Sequence, residues 1–275
     1  TDKGRVYRAK GYEVSEAARD AKGQHIANLL ALQPGENVEQ ILDIKNYQDF
    51  DYLVLATKNG LVKKSKLSEY DTNRTGGVFA IDLAVEKDKA GKPVLDEEEQ
   101  PKYLDAVVSA MLVNKDSEIL LVSKDGMSIR FVADDLSLRP TGRKTAGVKG
   151  IGLRKGDELL SAAVVSDTGY VFVVTESGFA KRTSVDQYRP QNRGGIGIKA
   201  AKIDENSRGS LVSALVLADT DEILAITSAG TVMRTPAAEV RQTGRDSMGV
   251  RLVNLDEGVA LVSVTQNQED EISAK

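Results

Sequence analysis

The stretch "YVFVVTESGFAKRTS", residues 170 to 184, decides the fold because it contains a complete β-hairpin signal. An apolar, β-branched run ends at Thr175, a Ser-Gly turn follows, and a second run begins after Gly178. The pattern occurs five times, as "TDKGRVYRAK", "TKNGLVKKSK", "SKDGMSIRFV", "TESGFAKRTS" and "TSAGTVMRTP". Apolar runs precede four of the copies: "YLVLAT", "EILLVS", "YVFVVT" and "EILAIT". This recurrence predicts an array of similar β units.

A second glycine motif follows each hairpin glycine after 17 to 21 residues. Its copies are "ARDAKGQHIANLLAL", "NRTGGVFAIDL", "RKTAGVKGIGL", "NRGGIGIKAAK" and "RDSMGVRLVNL", and we align their glycines as Gly23, Gly77, Gly147, Gly195 and Gly249. Another apolar run comes next in each copy: "NVEQILDI", "YLDAVVSAML", "ELLSAAVVS", "SLVSALVLA" and "ALVSVT". Each full unit therefore offers about four short strands.

The hairpin glycines Gly126, Gly178 and Gly230 are 52 residues apart. Four-stranded units that repeat at this spacing are typical of a propeller. We predict an all-β, propeller-like array of four-stranded blades in a single domain, with units at about 1–45 (partial), 46–113, 114–165, 166–217 and 218–265. The first unit lacks its leading apolar strand, so its blade is expected to be incomplete. A loop insertion is expected at 84–103 and an acidic tail at 266–275. Only "EVSEAARDA" has a helical pattern, and a short one.

Composition excludes several kinds of site. The chain has no cysteine, which rules out disulfides and thiolate metal sites, and the single His25 cannot build a histidine metal site or an ordinary catalytic triad. No run of 18 apolar residues and no signal-peptide segment is present, so we expect a cytoplasmic protein that does not bind membranes.

Charge is distributed unevenly along the chain. The net charge is −4, but residues 82 to 105 hold eight acids and four bases, and residues 254 to 275 hold five acids and one lysine. The segments from each hairpin glycine to the second glycine together carry +10. Because the units are equivalent, these cations are expected to form a repeated positive belt.

We predict that this belt binds duplex DNA through its phosphates, without reading bases. The candidate DNA-binding residues are Arg5, Arg8, Lys10, Lys63, Lys64, Lys66, Arg74, Arg130, Arg139, Arg143, Lys144, Lys181, Arg182, Arg189, Arg193, Arg234, Arg241 and Arg245. Arg19 and Lys22 are further counterparts in the first unit. Aromatic platforms for single strands are few, with five Phe, eight Tyr and no Trp, which favours duplex. For any single cation, a solvated surface role remains an alternative.

The stretch "QNRGGIG", residues 191 to 197, has a glycine pattern that also matches a dinucleotide-binding fingerprint. That fingerprint requires a helix directly after the glycines, whereas a strand-like alternation follows here. The dinucleotide interpretation therefore fails. A tight turn and a phosphate-contacting loop both remain possible.

The hairpins, together with "YEVSEAARDAKGQHIANLLAL", "LATKNGLVKKSKLSEYD", "LRPTGRKTAGVKGIGL" and "VRQTGRDSMGVRLVNLDEG", resemble the C-terminal domain of the DNA gyrase A family over nearly the whole chain. The resemblance implies a six-bladed β-pinwheel that wraps duplex DNA and gives gyrase its handed wrap for ATP-driven negative supercoiling. It implies as partners the ATPase component of gyrase (GyrB) together with the remainder of the gyrase A chain. It also implies that catalysis, ATP and Mg belong elsewhere in the holoenzyme, so that this domain needs no cofactor, has no catalytic residue and is monomeric in isolation.

The family's hallmark is a Q-(R/K)-R-G-G-K-G box in its first blade, which is missing here. Gln191, Asn192, Arg193, Gly194, Gly195, Ile196 and Gly197 resemble a degenerate second box, which departs from the motif at Asn192 and Ile196. The resemblance makes it an auxiliary DNA contact, with a plain inter-strand turn as the alternative. The acidic insertion and tail are interpreted either as mobile competitors for the cations or as solvated segments.

Three other functions remain open. The related C-terminal domain of topoisomerase IV fits the five-fold motif count, although the wording of the motifs favours gyrase. A propeller used as a protein-interaction scaffold would need an apolar or aromatic patch and no charged belt. A propeller enzyme would need carboxylate or histidine ligands that the sequence does not repeat.

Overall fold

The computed structural model describes residues 1–18, 21–166, 168–203 and 205–267, and within them the chain is all-β, as predicted. The strands are β1 Arg5–Val6, β2 Tyr52–Thr57, β3 Leu61–Lys66, β4 Val78–Phe79, β5 Val107–Val113, β6 Glu118–Ser123, β7 Met127–Val132, β8 Val148–Lys149, β9 Leu159–Val164, β10 Tyr170–Thr175, β11 Phe179–Ser184, β12 Ile198–Lys199, β13 Leu211–Leu217, β14 Glu222–Thr227, β15 Val232–Pro236, β16 Val250–Arg251 and β17 Leu261–Gln266. Helical structure comprises α1 Glu205–Arg208 and 3-10 turns at Gly11–Glu13, Ile26–Asn28, Leu67–Tyr70, Val185–Gln187 and Ala237–Glu239.

Three of the sheets have four antiparallel strands, as expected for propeller blades. Their strand orders are β5-β2-β3-β8, β9-β6-β7-β12 and β13-β10-β11-β16, beside a three-stranded sheet β17-β14-β15 and a pair β1-β4. Three strands of each four-stranded sheet come from one repeat. The fourth, a two-residue strand that we call the outer strand, comes from the following repeat. The prediction of four strands per unit is confirmed, but each repeat gives one of them to the preceding blade.

Four of the five predicted hairpins form; in the first copy no strand precedes Gly4, and β1 pairs with β4 instead. In β10 and β11, Phe172 lies opposite Arg182, and the turn closes where the amide of Gly178 donates 3.0 Å to the carbonyl of Thr175. Gly178 has φ +79°, which favours glycine. The β10 run is buried on both faces, from Val171 to Thr175, because apolar side chains cover the sheet on each side.

A glycine precedes each of the two-residue strands: Gly147, Gly197 and Gly249 lie where two backbones meet, whereas a Cβ on Gly77 would lie 2.8 Å from the Tyr7 ring. A Cβ built on Gly249 would lie 2.4 Å from the carbonyl oxygen of Ala180. Gly77, Gly147 and Gly197 hold the same place before β4, β8 and β12. Our alignment of Gly195 to this position was therefore wrong by two residues, because "RGGIG" offers three glycines and only the last one precedes the strand.

The chain divides into two compact units, Thr1–Lys115 with Leu138–Val148, and Asp116–Ser137 with Lys149–Lys275. The core of the first unit is built around Leu53, Leu55, Leu67, Tyr70 and Ile81. The core of the second unit includes two clusters among the described residues. One contains Phe172, Ile223, Ala225 and Leu261, and the other contains Leu120, Val171, Val173 and Tyr188.

Two expected elements of the first repeat are missing. The run "NVEQILDI" forms no strand; Gln40 in this run instead accepts a hydrogen bond of 3.0 Å on its side chain from the amide of Ala110. The predicted helix in "EVSEAARDA" is wrong for its described residues, 13–18 and 21, because Glu13 only closes a 3-10 turn and Val14 is extended. The residues around it are exposed, and so short a helix needs a packed face. Arg19 lies outside the described residues, as do residues 268–275 of the acidic tail.

The acidic insertion folds back on itself through short backbone bridges. Val85 pairs with Tyr103, Lys87 with Pro93 and Leu95 with Pro101. Asp88 Oδ1 accepts hydrogen bonds of 2.8 Å from the amides of Ala90 and Lys92, and Asp96 closes a similar loop.

No helix in the described part of the chain is long and apolar enough to cross a membrane.

Candidate nucleic-acid interface

The best-placed cations lie in the loops that join each hairpin to the next outer strand. We call residues 67–77, 133–147, 185–197 and 237–249 the connecting loops. Arg139, Arg189 and Arg241 occupy one equivalent position in three of them, eight residues before the glycine of the outer strand. Each is exposed and directly follows a buried residue, Leu138, Tyr188 or Val240, and none forms an ion pair with a described residue.

Other predicted cations are also exposed. They are Lys10, Lys66, Arg74, Lys144 and Arg234. The Lys144 ammonium lies 5.8 Å from the centre of the Phe79 ring. Because both side chains are exposed, the charge of Lys144 stays on the surface. Arg234 differs from the rest because it pairs with Glu222, and that hydrogen bond lowers the pKa of the carboxyl group.

Three predicted lysines are buried, which removes them from any set of direct phosphate contacts. Lys63, Lys64 and Lys181 are 2%, 0% and 1% exposed. Lys64 places its ammonium 4.5 Å from the centre of the Tyr52 ring. Lys63 and Lys181 donate to backbone carbonyls, and burial lowers the pKa of each to about 8.

In three repeats, the arginine four residues after the hairpin glycine is used inside the protein. Arg130 bonds Glu118 across its own sheet and donates 3.1 Å from Nη1 to the carbonyl of Val185, in the connecting loop of the next repeat. Arg182 repeats this arrangement with Asp219 and with the carbonyl of Val240. Arg8 is likewise paired, with Asp71 at 2.6 Å. These charges are partly neutralised and hold neighbouring repeats together.

The degenerate box packs against the protein rather than standing free. Arg193 donates from Nη1 to the carbonyl of Lys149 at 2.9 Å, and from Nε to the carbonyl of Ser137. The amide of Gly194 donates 2.6 Å to Gly150, and the carbonyl of Gly195 accepts 2.7 Å from Gly152. A Cβ on Gly197 would lie 2.0 Å from the carbonyl oxygen of Ser128. Among its side chains, Asn192 and Ile196 are exposed and Gln191 is half-buried.

The remaining arginines also have partners within the protein. Arg245 donates 3.0 Å from Nη1 to the carbonyl of Lys199, the end of the outer strand one repeat earlier. Arg143 lies 4.0 Å from Glu69, and Arg5 donates to the carbonyl of Gly76. All three guanidinium groups are half-buried.

Sequence reasoning missed this division of labour between exposed and tethered cations. One available signal was position, since Arg130 and Arg182 lie inside strands between buried neighbours. Position in a connecting loop gives no such signal, because one loop holds both exposed Arg189 and tethered Arg193. Among the described residues, no group of three or more His, Asp or Glu side chains is placed to hold a metal ion.

Repeated antiparallel sheets with shared outer strands and cationic connecting loops define a β-propeller domain of the strand-exchanging kind. The sequence model of the family described as DNA gyrase C-terminal domain, beta-propeller, matches residues 1–43, 51–89, 117–166, 169–218 and 221–267. The chain belongs to this family.

Relatives and solved structures agree with the assignment. The chain is 54% identical to the DNA gyrase A protein of Streptomyces coelicolor over 98% of its length, and 50% identical to that of Mycolicibacterium smegmatis over 100%. It spans 30% of the length of each. A solved DNA gyrase A C-terminal domain superposes with a TM-score of 0.78 at 29% identity, covering 96% of this chain and 80% of that one. A topoisomerase IV C-terminal domain gives 0.79 at 24% identity, with 96% and 76% covered, which supports the fold.

Proposed function

We propose that this domain binds duplex DNA through the exposed cations of its connecting loops. The observation that carries the proposal is the equivalent placement of Arg139, Arg189 and Arg241, each exposed and without an ion pair to a described residue. Arg74 and Lys144 add exposed charge in two loops. Guanidinium groups bind phosphate oxygens by charge-assisted hydrogen bonds, and phosphates carry no base identity. The binding is therefore sequence-nonspecific.

The site set is smaller than the sequence suggested. Direct contacts are assigned to Lys10, Lys66, Arg74, Arg139, Lys144, Arg189, Arg234 and Arg241. Half-buried Arg5, Arg8, Arg130, Arg143, Arg182, Arg193 and Arg245 shape the surface and add to its field. The exposed box residues Asn192, Gly195 and Ile196 are the part of the box that can touch DNA.

In a gyrase of which this domain is a part, the contacts would wrap DNA and present it to the remainder of the gyrase A chain. The ATPase component would then drive negative supercoiling, with ATP and Mg bound elsewhere and the domain itself non-catalytic. Cytoplasmic location on the nucleoid follows from that role. Bending a duplex by 40–90° costs of order 1–6 kcal/mol, so several phosphate contacts must act together.

The test is the affinity for duplex DNA as a function of salt, with short and then longer duplexes. The log–log slope is about −0.9 per phosphate neutralised. A slope that becomes steeper with duplex length supports a curved path over several repeats. A steep slope that is independent of length limits the function to a local contact. No binding at low salt overturns the proposal and favours a protein-interaction scaffold.

A further inference from the structure

We propose that Lys181 and Lys63 are positioning residues for DNA binding: each buried ammonium fixes the backbone of a connecting loop and so sets the direction of that loop's exposed cations. This inference rests on the proposed function, since it names buried groups on which the same interface depends. It also changes the role of two lysines that the sequence placed among the direct contacts.

Lys181 lies on β11 and reaches the loop 237–249 of the following repeat. Its Nζ donates to the carbonyl of Gly244 at 3.0 Å and to the carbonyl of Arg245. These carbonyls lie three and four residues after exposed Arg241. The charged groups that face the ammonium are Asp246, which favours the charged form, and Arg245, which opposes it.

Lys63 lies on β3 and makes the equivalent contact with the loop 133–147. Its Nζ donates to the carbonyl of Arg143 at 3.2 Å, to Ala80 at 2.6 Å and to Ser65 Oγ at 2.8 Å. Arg143 holds the place in its repeat that Arg245 holds in the other. Two lysines 118 residues apart in the sequence thus bind equivalent carbonyls, in equivalent turns of two repeats. Glu69 favours and Arg143 opposes the charge on Lys63.

The turns above the two lysines share a second feature. Thr145 Oγ1 bonds Thr141 Oγ1 and the carbonyl of Gly142, both at 2.9 Å. Ser247 Oγ makes the same pair of bonds, at 2.8 Å each, with Thr243 Oγ1 and the carbonyl of Gly244. The motif is T-G-R-x-(T/S), and a buried lysine lies beneath each copy.

The third loop provides an internal comparison. There the box replaces T-G-R-x-(T/S), and Ile129 replaces the lysine, with its Cδ1 3.7 Å from the Cβ position of Gly195. Met233 holds the position in the last hairpin. The blade therefore folds with an apolar residue here, whereas burying an ammonium group is costly, as the lowered pKa values show. Folding alone does not explain the two lysines, and control of the loop does.

The experiment is a double-mutant cycle on duplex affinity, using Lys181→Met and Arg241→Gln. If Lys181 acts by directing the loop of Arg241, Lys181→Met weakens binding about three- to tenfold in the parent and much less in the Arg241→Gln background. The matched control is Arg189→Gln, which lies in another loop, where the two effects add. In the parent, the salt slope of Lys181→Met becomes shallower only by the share of the Arg241 contact that is lost; in the Arg241→Gln background, Lys181→Met leaves the slope unchanged.

Other outcomes overturn the proposal. A slope that becomes shallower by about 0.9 when Lys181→Met is added to Arg241→Gln makes the lysine a direct contact. Unchanged affinity, or strict additivity with Arg241→Gln, removes its positioning role. Hydrogen exchange without DNA separates this inference from the proposed function: Lys181→Met is expected to speed exchange at the amides of residues 243–249 while the core strands stay protected. Unchanged exchange there overturns the positioning role even if DNA binds. If Lys181→Met fails to fold, the same cycle with Lys63→Met and Lys144→Gln decides.

Discussion

Arg193 Nη1 donates a hydrogen bond of 2.9 Å to the carbonyl oxygen of Lys149, 44 residues earlier in the chain. Lys149 ends the outer strand β8, and Arg245 forms the same bond to Lys199 at the end of β12. The arginine of the degenerate box is therefore bound within the protein. Two arginines that the sequence assigned to DNA contribute instead to the joint between consecutive repeats.

Arg193→Gln is expected to lower the free energy of unfolding by about 1–3 kcal/mol, because the carbonyls of Lys149 and Ser137 lose a charged donor. Urea unfolding followed by circular dichroism measures the change. The salt slope of DNA binding should stay close to the parent value. An undiminished stability would show that the two hydrogen bonds contribute little.

Arg189→Gln, four residues earlier in the same loop, is expected to do the reverse. Arg189 is exposed and has no ion pair with a described residue, so stability should change by less than about 0.5 kcal/mol. The log–log slope of duplex affinity against salt should become shallower by about 0.9. An unchanged slope would remove Arg189 from the DNA contacts, and Arg193→Gln is its matched control.

Gly197→Ala is expected to be among the most destabilising single changes in the box. Its φ is +79°, and the added Cβ would lie 2.0 Å from the carbonyl of Ser128, so β12 must separate from β7. Gly258→Ala is the control, with φ +78° and open space around the new Cβ, so that it has the backbone strain alone. The strain alone costs about 1–3 kcal/mol. Thermal unfolding should show Gly197→Ala clearly below Gly258→Ala; equal values would mean that the clash relaxes without cost.

Stability should rise with pH above about 8 because of Lys63 and Lys181. Their pKa is about 8 in the folded chain against 10.5 in the unfolded one, so between these values the unfolded state binds more protons. The contribution is complete above pH 10.5 and is lost as the pH falls through 8, with a slope of up to about 1.4 kcal/mol per pH unit for each lysine. The double variant Lys63→Met, Lys181→Met should lack this slope when urea unfolding is compared at about pH 7.5 and about pH 9.5, on either side of the folded-state pKa. Parallel pH profiles would contradict the burial of these charges.

Much of the fold could be read from the sequence because its signals are local. A β-branched run, a turn glycine at φ near +80° and a second run specify a hairpin without long-range information, as at Gly178 and Gly126. The exchange of outer strands is different. Nothing in "GVKG" says whether Val148 pairs within its own repeat or with the preceding one, since two residues carry no hydrophobic pattern.

The site was only partly predictable for a related reason. Charge can be counted in a sequence, but exposure depends on what the fold places above each side chain. Lys66 and Lys64 lie two residues apart on one strand; the first is exposed and the second is fully buried. Both follow the same glycine in a polar-looking run, "GLVKKSK", which suggests a solvated edge. The connecting loop that covers β3 comes from 80 residues later, beyond any local pattern.

The donation of an outer strand from each repeat to the preceding blade has a consequence for how such a chain can change length. A repeat that is gained by duplication or lost by deletion carries a three-stranded sheet, which the next repeat completes, and one outer strand, which completes the preceding sheet. The two ends of the array then present the same complementary edges as before, whatever the number of copies between them. Copy number can therefore vary between descendants of one ancestral gene without any new surface having to evolve at the junction.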